Sequence, residues 1–134
     1  MRRDVYSGRL KVNGEEHEAT LRAANNYAAS LKYRRRFKEA KALSRRMIPV
    51  ARRVLGQNDM LTLKMRWLYG YVLYEDDRAT LDHLREAVNT LEQVERTARR
   101  VLGGSHPVTE EIEDDLRAAR AALHARETPS DSKT

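Results

Sequence analysis

The hexapeptide Ala51-Arg52-Arg53-Val54-Leu55-Gly56 returns 47 residues later as Ala98-Arg99-Arg100-Val101-Leu102-Gly103, and no other feature limits the fold so strongly. A worn version, Leu10-Lys11-Val12-Asn13-Gly14, places its glycine 42 residues before Gly56. Behind each glycine a second stretch aligns: Gly14-Glu15-Glu16-His17-Glu18-Ala19-Thr20-Leu21, Gly56-Gln57-Asn58-Asp59-Met60-Leu61-Thr62-Leu63 and Gly103-Gly104-Ser105-His106-Pro107-Val108-Thr109-Glu110. Self-similarity at such a period marks one supersecondary unit used more than once. Glycine suits the junction because a helix that stops and reverses wants a left-handed residue just past its end. Arginines in the last turn then face the negative end of the helix dipole.

Between the glycines the apolar period is helical. Leu21, Ala24, Ala28 and Leu31 recur every three or four residues, as do Phe37, Ala40, Leu43, Met47, Val50 and Val54. A turn at residues 33–36 separates the two runs, so each unit is a helical hairpin. The second hairpin carries Leu63, Tyr69, Gly70 and Leu73, then Leu81, Leu84, Val88, Leu91, Val94, Ala98 and Val101, with its five extra residues in the turn at 75–79. Ile112, Leu116, Ala119 and Leu123 make one apolar stripe on a charged helix, which suits a terminal cap. The reading is therefore all-α, a stack of antiparallel hairpins with two full repeats plus a capping helix. Residues 1–13 form the remnant of a preceding repeat helix, 14–55 repeat 1, 56–102 repeat 2, 103–126 a capping half-repeat and 127–134 a disordered tail. Helices are expected over 19–33, 37–55, 61–74, 80–102 and 109–125, with a kink at Pro49, or two shorter helices there.

Composition narrows the functional classes. At 134 residues, with 40% hydrophobic and 6% aromatic residues, the chain suits one domain whose core is built from many small helical contacts, not a β-sandwich or barrel. No cysteine is present, so disulfides and thiolate metal sites are excluded, and four scattered histidines do not make a zinc site. No apolar run approaches a membrane span and Met1-Arg2-Arg3-Asp4 opens no signal peptide, so a soluble, cytoplasmic protein is expected, with no membrane partner.

The net charge of +6 hides an asymmetry. Through Gly56 there are 15 Lys/Arg against 5 Asp/Glu; beyond it there are 11 against 15. The basic half, with Arg34-Arg35-Arg36, Lys38, Lys41, Arg45-Arg46 and Arg52-Arg53, is an ordinary solvated face or a surface for nucleic acid, anionic lipid or an acidic peptide. Nucleic acid is the weaker reading, because Tyr33 and Phe37 alone are too few aromatics for a stacking platform. The same asymmetry suggests weak head-to-tail self-association, Arg2-Arg3 and Leu10 of one copy meeting residues 110–115 of the next.

Catalytic chemistry is not expected, and no metal or cofactor. His17 and His106 hold the same place before a helix, where an imidazole caps the first turn. His83 lacks a second histidine at helical spacing and reads as surface. Asp76-Asp77 and Asp114-Asp115 are adjacent and diverge on a helix, a poor geometry for shared acid/base work. Gly103-Gly104 is a helix stop, not a phosphate loop. Trp67 is open to two readings, core filler between hairpins or an interface anchor. Tyr71 and Tyr74 share its face, and Tyr69 points inward.

These residues resemble tetratricopeptide repeats of the kinesin-light-chain type. The likeness rests on Gly-x-x-His-x-x-Thr-Leu opening the first helix of a unit, on Asn26-Tyr27-Ala28 within it, on Phe37-Lys38-Glu39-Ala40 opening the second, and on the Val54-Leu55-Gly56 ending. It covers roughly residues 10–123. Asn58-Asp59-Met60 replaces the usual His-Pro, and Arg117 stands where the third unit should have a small residue. The resemblance implies a right-handed superhelix whose first helices line a concave, peptide-binding groove, with Ala28 and Gly70 at the close helix crossings. By it the groove holds Arg22, Asn25, Asn26, Ala29 and Lys32 from the first unit and Lys64, Trp67, Tyr71 and Tyr74 from the second, Asn26 being the amide that clamps a ligand backbone. Those cations and flat rings suit an extended acidic peptide with one large apolar anchor, and the protein is expected to be an interaction scaffold.

Overall fold

The computed structural model describes residues 2–14 and 17–128. Among them are six helices and no strand: α1 Arg2–Asn13, α2 Glu18–Tyr33, α3 Phe37–Leu55, α4 Met60–Glu75, α5 Leu81–Leu102 and α6 Pro107–Glu127. The expected helices lie within about two residues of these bounds. Glu127 closes α6 and Thr128 follows it; the rest of the expected tail lies outside the described residues. The α3 helix runs unbroken through Pro49, so the two-helix alternative does not hold.

Each helix packs on the next. Residue pairing shows that neighbours run antiparallel: Tyr69 meets Glu86, Arg66 meets Gln93 and Asn58, in the turn before α4, meets Arg100, one number falling as the other rises. Between α5 and α6 an ion-pair ladder repeats the pattern, with Arg99–Glu113 at 2.7 Å, Glu92–Arg120 at 2.9 Å and Arg85–Glu127 at 3.7 Å. These exposed pairs contribute little energy each. Apolar burial between the antiparallel faces supplies the cohesion.

The repeat seen in the sequence has a structural counterpart at every junction. Gly14, Gly56 and Gly103 all adopt positive φ, 82°, 92° and 97°, so any side chain there would be strained. Three residues on, His17, Asp59 and His106 cap α2, α4 and α6. Each side chain accepts from the backbone N–H two residues later, at 3.0 Å for Ala19, 2.8 Å for Leu61 and 3.1 Å for Val108. Asp59 thus does with a carboxylate what the histidines do with Nδ1. Next come Thr20, Thr62 and Thr109, all fully buried. Thr20 donates to the Arg9 carbonyl at 3.0 Å and Thr62 to the Ala51 carbonyl at 3.4 Å, tying each new helix to the end of the previous one. Thr109 Oγ1 has no such partner.

The α4 helix is the hub, touching α2, α3, α5 and α6. Gly70 makes this possible: a Cβ there would sit 2.8 Å from Cγ and Cδ2 of the fully buried Leu91, so α4 and α5 approach to a distance only glycine permits. Because α4 is covered on several sides, nine of its residues are buried, among them Arg66 and Tyr69. By contrast α3 and α5 each bury a single stripe.

Candidate functional site

Alongside each other, α2 and α4 leave an open cavity of about 460 Å³, bounded by α6 on the far side and by the α2–α3 turn at one end. Asn25 and Lys32 of α2, Lys64, Trp67 and Tyr71 of α4 and Asp115 of α6 line it. Spacing of three and four along each helix puts these residues on one face.

The cavity wall is tied together by polar contacts to aromatic rings. Trp67 Nε1 donates to one oxygen of Asp115 at 2.6 Å and the Tyr74 hydroxyl to the other at 2.8 Å. One carboxylate therefore satisfies two half-buried donors and fixes α6 against α4. Tyr71 and Tyr74 meet edge to face at 5.4 Å, and Lys32 Nζ lies 4.7 Å from the Tyr71 ring centre, a cation–π distance. Burial, reinforced by the hydrogen bond to Asp115, pushes the Tyr74 phenol well above its ordinary pKa. Burial, then Glu75 and Asp115, raises Tyr71 as well. At the end of the cavity Arg35 takes a left-handed φ of 58° and stacks its guanidinium 4.9 Å from the Phe37 ring.

Of the residues assigned from the sequence, Asn25, Lys32, Lys64, Trp67 and Tyr71 come together around this space. Trp67 packs against two core clusters and also lines the cavity. Tyr74 is packed against the core and reaches the site through Asp115 and its edge contact with Tyr71. Ala29 packs against the cluster of Ala28, Leu31 and Phe37, and exposed Arg22 is held by Glu18 one turn earlier. Asn26 lies elsewhere: it lines a separate cavity between α1 and α2, beside Tyr27, Ser30 and Arg34. The reason is rotational. Asn26, Leu68 and Asp115 each stand twelve residues past Gly14, Gly56 and Gly103. Leu68 packs with Ala28 and Leu31 of α2, and Asp115 meets α4, so this repeat position faces the preceding unit. Its neighbour Asn25 aligns with Trp67 and lines the cavity; its Oδ1 is buried without a hydrogen-bond partner, and the residue also borders the packed space among Ala24, Ala28, Ser44, Met47 and Met65.

Asp115 was not singled out as a site residue from the sequence, although its alignment with Asn26 through the glycines carries the signal. His83, expected at the surface, completes an exposed capping box there: its backbone N–H donates to Thr80 Oγ1 at 3.1 Å and its Nδ1 accepts from the Thr80 N–H at 3.2 Å. Among the described residues no group of three or more His, Asp or Glu is placed to hold a metal ion, and no helix is long and apolar enough to cross a membrane.

Opposite the cavity, α4 presents Arg66 and Tyr69 toward α3 and α5. Tyr69 donates to Glu86 and accepts from Arg45 Nε at 2.8 Å, while Arg45 Nη2 reaches the other Glu86 oxygen at 3.3 Å. Burial and the bond to Glu86 push the Tyr69 phenol up to about 12. Arg66 donates through Nη2 to Gln93 Oε1 at 2.7 Å, and its Nη1 has no partner.

Comparison with protein-family models, with curated proteins and with solved structures gives no match.

Proposed function

We propose that the chain is a helical-repeat interaction module of the tetratricopeptide kind that binds an extended, acidic peptide segment of a partner protein in the space between α2 and α4. One observation carries the reading. The α2–α4 cavity combines an apolar floor of Trp67, Leu68 and Tyr71 with three cations, Lys32, Lys64 and Arg35, and a single carboxylate, Asp115. A cavity of this size with few convergent polar groups is the usual form of a ligand site. Asp115 illustrates the chemistry from within, since an aromatic N–H and a phenol already hold a carboxylate there. An anchor side chain over Tyr71 supplies most of the affinity, and acidic flanks opposite Lys32 and Lys64 supply orientation and on-rate. Asn25, which lines the cavity, takes the backbone-clamping role that the resemblance implied for Asn26.

Selection from a random peptide library tests this. Acidic sequences with one aromatic or large aliphatic residue are expected to be enriched, with binding reduced in Tyr71→Ser and Asn25→Ala proteins and retained in Asn26→Ala. Enrichment of basic sequences, or binding indifferent to the first two substitutions, overturns the assignment.

A further inference from the structure

On the side of the molecule away from the α2–α4 cavity, α3, α4 and α5 enclose a second space of about 280 Å³, and its chemistry is different. Its floor is Arg66, whose residue surface is only 2% exposed. A guanidinium this deep normally has every N–H matched, because an unpaired buried charge is among the most expensive groups a fold can hold. Only one match is present, Nη2 to Gln93 Oε1 at 2.7 Å; Nη1 is buried with no partner. No carboxylate approaches Arg66. Glu86, the one acid lining the space, is already engaged by Tyr69 and Arg45. The lining therefore carries three guanidinium charges, Arg45, Arg52 and Arg66, against one carboxylate. Desolvation and the nearby Arg52 charge lower the Arg66 pKa from the ordinary guanidinium range, the electrostatic signature of a cation without its counter-charge.

We infer that the space between α3 and α5 is a binding site for a phosphate group, held by Arg66 from below and Arg52 at the rim, with Thr90 and the Gln93 amide as neutral donors. A divalent tetrahedral oxyanion matches what the lining lacks: it brings the charge that balances the excess and enough acceptor oxygens for donors converging from α3, α4 and α5. Water can accept one N–H from Arg66 but leaves the charge uncompensated. A carboxylate has two oxygens and one charge. The site shares no residue with the α2–α4 cavity, so its occupancy is independent of the peptide reading.

The experiment is titration calorimetry with inorganic phosphate, against chloride at matched ionic strength, with phenyl phosphate as a second arm to separate free phosphate from a phosphoryl group carried on a larger molecule. Saturable one-to-one binding is expected, weakened about tenfold or more in Arg52→Ala, because a charged hydrogen-bond partner is lost. Arg66→Met removes the unmatched charge while keeping most of the volume. It is expected to abolish phosphate binding and to remove the phosphate-dependent rise in Tm. Phenyl phosphate binding as tightly as inorganic phosphate identifies a mouth open to a substituted ligand; inorganic phosphate alone binding identifies a closed one. Absence of saturable phosphate binding to the unmodified protein, or binding unchanged in Arg52→Ala, overturns the assignment, and the surface position of Arg52 keeps that test open even if Arg66→Met does not fold.

Discussion

The two sides of α4 solve the same problem differently. Toward α6, Trp67 and Tyr74 bring two polar hydrogens into the interior and Asp115 accepts both. Toward α5, Arg66 and Tyr69 bring in more donors than the neighbours can match, and the Arg66 guanidinium keeps an unpaired N–H. A fully matched polar group locks two helices together; a half-matched one carries an uncompensated desolvation cost. The difference follows from what faces α4 on each side: an acidic cap helix on one, the arginine-rich α3 on the other.

The largest effect is expected from the residue that lets both sides exist. Gly70→Leu should destabilise by about 1–3 kcal/mol or more by overpacking against Leu91, whereas Asn89→Leu on the exposed face of α5 should shift stability by under about 0.5 kcal/mol. Equal effects in denaturant melts would mean that α4 and α5 do not cross at Gly70.

Next, Asp115→Ala strands two half-buried donors and is expected to lose about 1–3 kcal/mol in chemical unfolding, with a red shift or broadening of the Trp67 fluorescence that reports the lost indole bond. Unchanged emission would separate Trp67 from the cap helix.

A third test uses pH. Folding raises the Tyr69 pKa from 10 to about 12, so the folded protein holds that proton more tightly than the unfolded chain does. The associated stabilisation is whole below pH 10 and is lost as pH climbs from 10 towards 12, and Tyr74 acts with the same sign. Urea midpoints should fall over this interval, and Tyr69→Phe should flatten the fall. A slope identical in the variant would clear Tyr69 of the effect.

Smaller again, Asp59→Ala removes the cap of α4 and should cost about 0.5–2 kcal/mol. Arg117→Ala, on the exposed face of α6 and paired with Asp114 in the preceding turn, should be silent within about 0.5 kcal/mol. Thermal melts rank the two, and a reversed order would contradict the cap geometry.

Helix positions, the glycine stops and the histidine caps were legible in the sequence because each is a local device whose parts lie within a few residues. The small residue at Gly70 was legible through the resemblance. Asn26 lines the α1–α2 cavity and Asn25 the α2–α4 one because adjacent helical residues point about 100° apart, and which of the two meets a given cavity is decided by the neighbouring unit. Asp115 lies 48 residues from Trp67 and Arg66 lies 27 from Gln93, so neither relation leaves a local trace. Arg66 reads in sequence as one more solvated arginine; it becomes buried because α4 is enclosed from several directions, a property of the assembled layers.

The turns at the two ends of the bundle have unequal freedom. At one end, the starts of α2, α4 and α6 each follow a left-handed glycine and carry a capping side chain, and those of α2 and α4 are also tied back by a buried threonine hydroxyl. At the other, the α2–α3 connection spans residues 34–36 and the α4–α5 connection spans 76–80, with Asp77 and Arg78 exposed. Length is gained there with least disturbance between the exposed Asp77 and Arg78, because Ala79 beyond them is buried with its carbonyl bound to Arg126 and Thr80 caps α5. For an engineer, the Asp77–Arg78 bond is the place to graft a reporter or an epitope, since an insertion there leaves the glycine-and-cap junctions at the opposite end untouched.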